Sequence, residues 1–176
     1  PVILHIINFY FSFNIKQFIL TTGYLGKIIN EYFIKEFPLI KKLDRTITTK
    51  KDLQILDYSN GLRIFLLNTG LNTETGGRIL RAKKIIENDK FFHLTYGDGL
   101  SNININKSIN FFLKNRCIGL ITAVRPPARF GKLSIRGRYV KKFEEKNQLD
   151  EGWINGGYFI FSKDIFKYIK NDSTNF

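Results

Sequence analysis

Asp98 stands between Gly97 and Gly99 at the end of the apolar and aromatic stretch FFHLTYGDGL, residues 91–100. A lone carboxylate where a short buried strand gives way to a loop sits where open α/β sheets place ligand chemistry. It suits a hard cation such as Mg²⁺, which needs one or two carboxylates and takes its other ligands from water and phosphate. An Asp-Gly turn with no ligand gives the same local pattern, so the rest of the chain has to decide.

Four other stretches carry residues of chemical interest. TETGGR, residues 73–78, leads straight into a helical pattern. A glycine-marked helix start exposes unpaired N–H groups and suits phosphate or a polar base edge. Thr73 or Thr75 acting only as an N-cap is the alternative. FEEK, residues 143–146, places Glu145 and Lys146 after a strand, where a carboxylate can hold sugar hydroxyls and a lysine can pair with a sugar phosphate. An exposed strand end reads the same way. In INGG, residues 154–157, glycines inside a strand mark the close approach of a ligand or another backbone, or a simple bulge. RPPARFGKL, residues 125–133, joins rigid prolines to Arg125, Arg129 and Lys132, as a phosphate-facing loop or a surface turn. No Ser-His or Cys-His pair is present to make a nucleophile, and an in-line attack by a bound phosphate needs none. His5, His93 and the single Cys117 are too few and too scattered for a zinc site, and they exclude an internal disulfide framework.

The elements that must position these residues alternate. Residues 1–13 read as a helix, with Ile3, Ile6, Ile7 and Tyr10 at helical spacing. Residues 17–22 read as a buried strand and 23–27 as a glycine-marked turn. Residues 28–37 form an amphipathic helix stopped by Pro38. Residues 39–60 are polar and irregular, with at most a short strand around ITTKKDLQIL. Residues 62–67 are a strand, and a helix from 76 precedes the strand at 91. NININKSINFFLKN forms a helix after Asp98, and CIGLITAV, residues 117–124, is an apolar run expected of a central strand. A hairpin across Gly137, a strand at 153–161 and a short helix at KDIFKYIKN complete the chain. The β-α-β-α alternation predicts an α/β fold with parallel strands and a more antiparallel region after them.

Composition bounds the function. The 176 residues can build one core, with 43% hydrophobic and 15% aromatic content. No apolar run reaches membrane-spanning length, and no basic segment leads into an apolar signal core, so no membrane partner and a cytoplasmic setting are expected. The net charge of +13 favours anionic partners, from phosphorylated small molecules to nucleic acid. The charge is spread along the chain with no dense basic tail, so nucleic acid is not the expected partner. A basic nucleic-acid-binding protein, with affinity falling steeply with salt, is the least favoured alternative.

In PVILHIINFY, GYLGKIINEYF, LLNTGLNTETGGRILRAKKII, LTYGDGL, PPARFG, FEEK and WINGGYFIF, the chain resembles the sugar-nucleotide nucleotidyltransferases nearly end to end. The insert before LRIFLL resembles the cytidylyltransferase branch. The resemblance implies a Rossmann-like α/β domain with a mixed, mostly parallel sheet flanked by helices. It implies CTP and glucose 1-phosphate as substrates, CDP-glucose and pyrophosphate as products, Mg²⁺ as cofactor, a homo-oligomer, and a role in deoxysugars for surface polysaccharides such as O-antigen. By resemblance, Thr73 and Arg78 contact the nucleotide, and Gly97 approaches it by backbone. Asp98 binds the metal and is catalytic with Lys146. Glu145 and Lys146 meet the sugar and its phosphate, and Asn155 and Gly156 line the sugar pocket.

The chain departs from the family in three places. No GGxGTR phosphate loop occurs in residues 1–176, the family's second metal-binding Asp would fall beyond Phe176, and Asn147 replaces the proline after the FxEK lysine. The chain has no Met and ends in the polar stretch NDSTNF. The expectation is a single nucleotidyltransferase domain, incomplete at both ends and inactive by itself. A non-catalytic nucleotide-binding module is the alternative.

Overall fold

The computed structural model describes residues 1–36, 45–125, 132–144 and 152–175. Nine strands and five α-helices are present among them. In chain order they are α1 (Val2–Ser12), β1 (Gln17–Thr22), α2 (Gly26–Glu31), β2 (Arg45–Lys50), β3 (Leu53–Tyr58), β4 (Arg63–Asn68), α3 (Thr75–Arg81), α4 (Lys83–Ile86), β5 (Phe91–Thr95), α5 (Ile105–Asn115), β6 (Gly119–Val124), β7 (Lys132–Arg136), β8 (Tyr139–Glu144) and β9 (Ile154–Ser162). A π-helical turn, Tyr32–Glu36, extends α2, and a 3₁₀ turn, Lys163–Lys167, follows β9.

Three layers follow from the alternation of side chains along the strands. On β4, Ile64 and Leu66 enter one apolar cluster while Leu67 enters another. On β1, Phe18 and Leu20 pack toward α1, and Ile19 packs the other way. A strand's side chains point to opposite faces with period two, so each strand serves two cores. Helix α1 is buried on two stripes. Leu4 and Ile7 join the cluster of β3 and β4, whereas Ile6 and Tyr10 join Ile105 of α5 and Tyr158 of β9. That apolar girth is expected of a helix wedged between neighbours. On the opposite face, Ile79 of α3 packs with Phe159, Phe161, Ile165 and Ile169. Phe92 of β5 shares a cluster with Ile19 and Leu67 there.

The sheets run β1-β4-β3-β2, β5-β9-β6 and the hairpin β7-β8. The mixed character is as expected, but the balance differs. Among the described residues β1–β4 is the parallel pair, and the other paired strands are antiparallel. Two local causes account for it. Residues expected to be irregular form the β2–β3 hairpin, which delivers β4 as a meander. The glycine-containing β9 also inserts, antiparallel, between β5 and β6. The antiparallel hairpin across Gly137 forms as expected, with Gly137 at φ +61° in its turn. The expected last helix is shorter, a single 3₁₀ turn, and the polar tail after it folds back onto α3, as described next.

Candidate functional site

β1 and β4 are parallel and in register, Thr22 opposite Asn68, so both chains leave the sheet at one edge. Each leaves through the same pair of residues, Thr22-Gly23 and Thr69-Gly70. Thr69 clasps the neighbouring chain: its backbone N–H and its hydroxyl both donate to the Thr22 carbonyl at 2.8 Å. Thr22 and Thr69 are both buried.

Arg78 of α3 closes this bracket. Its NH1 donates to the Thr69 hydroxyl oxygen at 2.6 Å and to the Thr22 carbonyl at 3.2 Å. Its NH2 and Nε have no hydrogen-bond partner among the described residues. Gly23 makes room for the guanidinium, because a Cβ there would lie 2.9 Å from both terminal nitrogens and 2.6 Å from the Gly70 carbonyl oxygen. Thr73 is buried, and its hydroxyl donates to the Thr69 carbonyl. Thr73 and Arg78 are therefore brought together, both anchored on Thr69. Beside them a cleft of about 330 Å³ opens among Thr22, Gly23, Lys27, Asn30, Gln54 and Asn68.

The start of α3 differs from the sequence expectation. Its N–H groups are not open to a phosphate. Glu74 N–H donates to the Asp172 carbonyl at 2.9 Å, and Gly76 and Gly77 N–H donate to the Thr174 carbonyl at 2.9 and 3.3 Å. The backbone at Asp172 can come this close only because residue 77 is glycine, since a Cβ there would sit 2.4 Å from the Asp172 carbonyl oxygen. Three of the orphan donors at this helix start are thus satisfied by the chain's own tail.

The second group lies where β5 meets β9. Asp98 is exposed, and its carboxylate accepts no hydrogen bond among the described residues. The loop around it is held from β9: the Tyr158 hydroxyl donates to the Gly99 carbonyl at 2.9 Å. The Asn155 amide donates to the Tyr96 hydroxyl at 3.2 Å, and Asn155 Oδ1 accepts from Gly157 N–H at 2.8 Å. Gly97 is open, with Ile3 of α1 at 3.9 Å from a would-be Cβ. The INGG glycines resolve in favour of close backbone approach. At Gly156 a Cβ would meet the Thr122 carbonyl at 3.0 Å and the Val124 side chain at 2.9 Å, beside a register shift in β6. Gly157 takes φ +77°, with the Tyr96 ring against it.

Glu145, Lys146, Arg129 and Asn147 lie outside the described residues. Arg125 sets its guanidinium over Trp153, 4.7 Å from the centre of the ring. Residues that the sequence reading missed are Thr22, Gly23 and Thr69, which seat Arg78, and Tyr96 and Tyr158, which frame the Asp98 loop. The repeated Thr-Gly at two strand ends was a visible signal for the first three.

A metal would find a single carboxylate here. No group of three or more His, Cys, Asp or Glu residues able to hold an ion is present among the described residues. An exposed carboxylate flanked by glycines fits Mg²⁺, which draws most of its shell from water and phosphate, and it does not fit a cation needing an all-protein cage.

A three-layer α/β domain with its polar residues gathered at strand ends is the arrangement in which open α/β folds place their ligand sites. The chain belongs to the nucleotidyl transferase family, whose model matches residues 6–175. It is 34% identical to the glucose-1-phosphate cytidylyltransferase of Salmonella typhimurium, over 99% of this chain and 68% of that protein. It is 37% identical to the probable glucose-1-phosphate cytidylyltransferase of Bacillus subtilis, over 98% of this chain and 66% of that one. Among solved structures, HddC from Yersinia pseudotuberculosis matches with a TM-score of 0.60 at 24% identity, covering 98% of this chain and 68% of that one, a likeness of fold. No helix among the described residues is long and apolar enough to cross a membrane.

Proposed function

We propose that this chain is part of an enzyme that makes CDP-glucose and pyrophosphate from CTP and glucose 1-phosphate. The observation that carries the reading is the match, nearly end to end, to relatives named for that reaction. A phosphate oxygen of the sugar phosphate attacks the α-phosphorus of CTP. The bond to the bridging oxygen breaks in line, and that oxygen leaves on pyrophosphate. No protein nucleophile is consumed, so the chain's work is positioning and electrostatics.

Arg78 supports the nucleotide role. One of its nitrogens is spent on Thr22 and Thr69, which fixes the guanidinium plane, and its other donors have no partner among the described residues. A pre-aimed fork of this kind suits a nucleotide's polar edge or phosphate. Thr73 holds the loop that carries it, and Gly97 leaves the backbone accessible. Asn155 and Gly156 line the sugar side, and Glu145 and Lys146 take the sugar hydroxyls and the sugar phosphate. Asp98 would hold Mg²⁺, which supplies neutralisation of the triphosphate charge when bound. The product class fits the making of deoxysugars for surface polysaccharides.

Turnover of the intact protein with glucose 1-phosphate and each of CTP, UTP, dTTP and GTP tests the reading. CTP should be preferred and CDP-glucose should accumulate. A preference for dTTP or GTP would overturn the cytidylyl assignment. A polypeptide limited to residues 1–176 should bind substrates weakly and not turn over, because it contains no GGxGTR loop to grip the triphosphate.

A further inference from the structure

The tail that covers the start of α3 is built as a fitted part. After the 3₁₀ turn, residues 170–174 close a tight turn in which the Thr174 hydroxyl accepts from the N–H groups of Lys170 and Asn171, at 3.2 and 3.3 Å. Asn171 Oδ1 in turn accepts from Ser173 N–H at 3.0 Å. The turn presents two carbonyls, of Asp172 and Thr174, to the N–H groups of Glu74, just before α3, and of Gly76 and Gly77 within it. The Asp172 carboxylate grips Arg81, one helical turn beyond the residues it caps, through Nε at 3.1 Å and NH2 at 2.6 Å. Thr75 donates to Asn175 Oδ1 at 2.8 Å. Gly77 has no room for a side chain under this turn.

The consequence reaches the nucleotide side of the site. Helix α3 is seven residues long, too short to hold its own position by internal hydrogen bonding. Arg78 departs from its first turn and is the residue that spans Thr22 and Thr69. Whatever fixes that turn therefore fixes where the remaining Arg78 donors point. The same tail emerges from the segment whose Ile165 and Ile169 pack on Phe159 and Phe161 of β9. It thus ties α3 to the far end of β9, the strand that carries Asn155 and Gly156 near its start.

We propose that Asp172 and Thr174 are positioning residues for the nucleotide half of the site, acting through α3 and Arg78. This rests on the nucleotidyltransferase reading above. A displacement of α3 should appear as weakened nucleotide capture, because Asn155 and Gly156 stand on β9, which is paired on both sides with β5 and β6.

The test uses the intact protein with two variants. Asp172→Ala removes the grip on Arg81 and leaves the backbone carbonyl. Gly77→Ala drives a methyl into the Asp172 backbone, displaces the turn and favours the helix itself. Steady-state kinetics should give a KM for the nucleotide raised about 5- to 20-fold in both. The KM for the sugar phosphate should change less than twofold, and amide exchange at Glu74, Gly76 and Gly77 should accelerate. A tail that only adds stability would lower the melting temperature and leave both KM values unchanged, and that result overturns the proposal. So would equal rises in the two KM values. Absence of turnover with any nucleotide in the wild-type control would instead sink the functional reading on which the proposal stands.

Discussion

The two groups of candidate residues are built in opposite ways. At the ends of β1 and β4 the side chains brace one another: Thr69 bonds to Thr22, Thr73 to Thr69, and one Arg78 nitrogen to both Thr22 and Thr69. At the end of β5, Asp98 projects with no hydrogen bond to its carboxylate among the described residues, from a loop held by Tyr158 and Asn155 of β9. The contrast matches the demands of the two proposed jobs. A group that recognises a nucleotide gains from being immobilised before the ligand arrives, since the ordering cost is then met in folding. A carboxylate that takes a cation sharing its shell with water and phosphate has to remain accessible.

The largest effect should come from the open side. Asp98→Asn keeps the size and loses the charge, so turnover of the intact protein should fall at least 100-fold at every Mg²⁺ concentration. The thermal midpoint should stay within a degree or two, because an exposed side chain carries little of the fold. Unchanged turnover would remove Asp98 from the metal role, and a large drop in stability would put it on the braced side of the comparison.

Glycines give the next contrast. At Gly23 an added methyl meets the Gly70 carbonyl at 2.6 Å and the Arg78 guanidinium at 2.9 Å, with backbone on one side and a tethered side chain on the other. Gly23→Ala should cost about 1–3 kcal/mol by overpacking. At Gly99 an added methyl meets nothing within 4 Å, and its backbone does not lie in the left-handed region, so Gly99→Ala should leave stability within about 0.5 kcal/mol. Urea denaturation of the pair checks this, and equal costs would erase the distinction between the two regions.

The sequence made one half of this legible and hid the other. Strand ends at Thr22, Asn68 and Thr95 fall where apolar runs stop and Thr, Asn and Gly begin, a local signal. The two glycines in INGG left a close approach or a bulge open, and the chain around them is Thr122, Val124 and Tyr96, beside a register shift in β6. What could not be read was the partner of the α3 N–H groups. TETGGR is locally a helix start with open donors, and nothing near it in sequence says that Asp172 and Thr174 fill them. The polar tail looked like a loose end because its value lies in backbone carbonyls, which every residue has. The β2–β3 hairpin was obscured for a related reason: β2 is exposed along its whole length and carries no apolar alternation.

Behind the open rim, β5 carries a group that should make this side sensitive to acid. His93 is packed against Tyr10 and Phe91, and its Nε2 is buried without a partner. Burial pushes its pKa down to about 4, from the ordinary 6.5. The folded protein therefore refuses a proton that the unfolded chain accepts between those values. Stability is full above pH 6.5, falls as pH drops toward 4 and levels off below, by on the order of 2–3 kcal/mol in total. His93→Phe should remove that part of the slope while the carboxylates keep theirs. Denaturation midpoints of the two proteins at pH 7, 5.5 and 4.5 should converge or cross in acid, and parallel curves would show that His93 does not titrate in this way.

The smallest expected effect is the most pointed. Tyr158 is buried among Ile6, Tyr10 and Ile105, and only its hydroxyl reaches the Asp98 loop, at the Gly99 carbonyl. Tyr158→Phe leaves the packing intact and releases the hydroxyl's bond to Gly99, together with its interactions with Thr95 and the Ser101 backbone, and water can replace it at a half-buried carbonyl. The stability cost should be about 0.5–1.5 kcal/mol. If the loop owes its placement to that bond, the Mg²⁺ concentration giving half-maximal turnover should rise a few-fold, with the nucleotide KM at saturating metal unchanged. If the nucleotide KM rises instead, the two regions are coupled through β9 and α1, and the division between a braced nucleotide side and an open metal side does not hold.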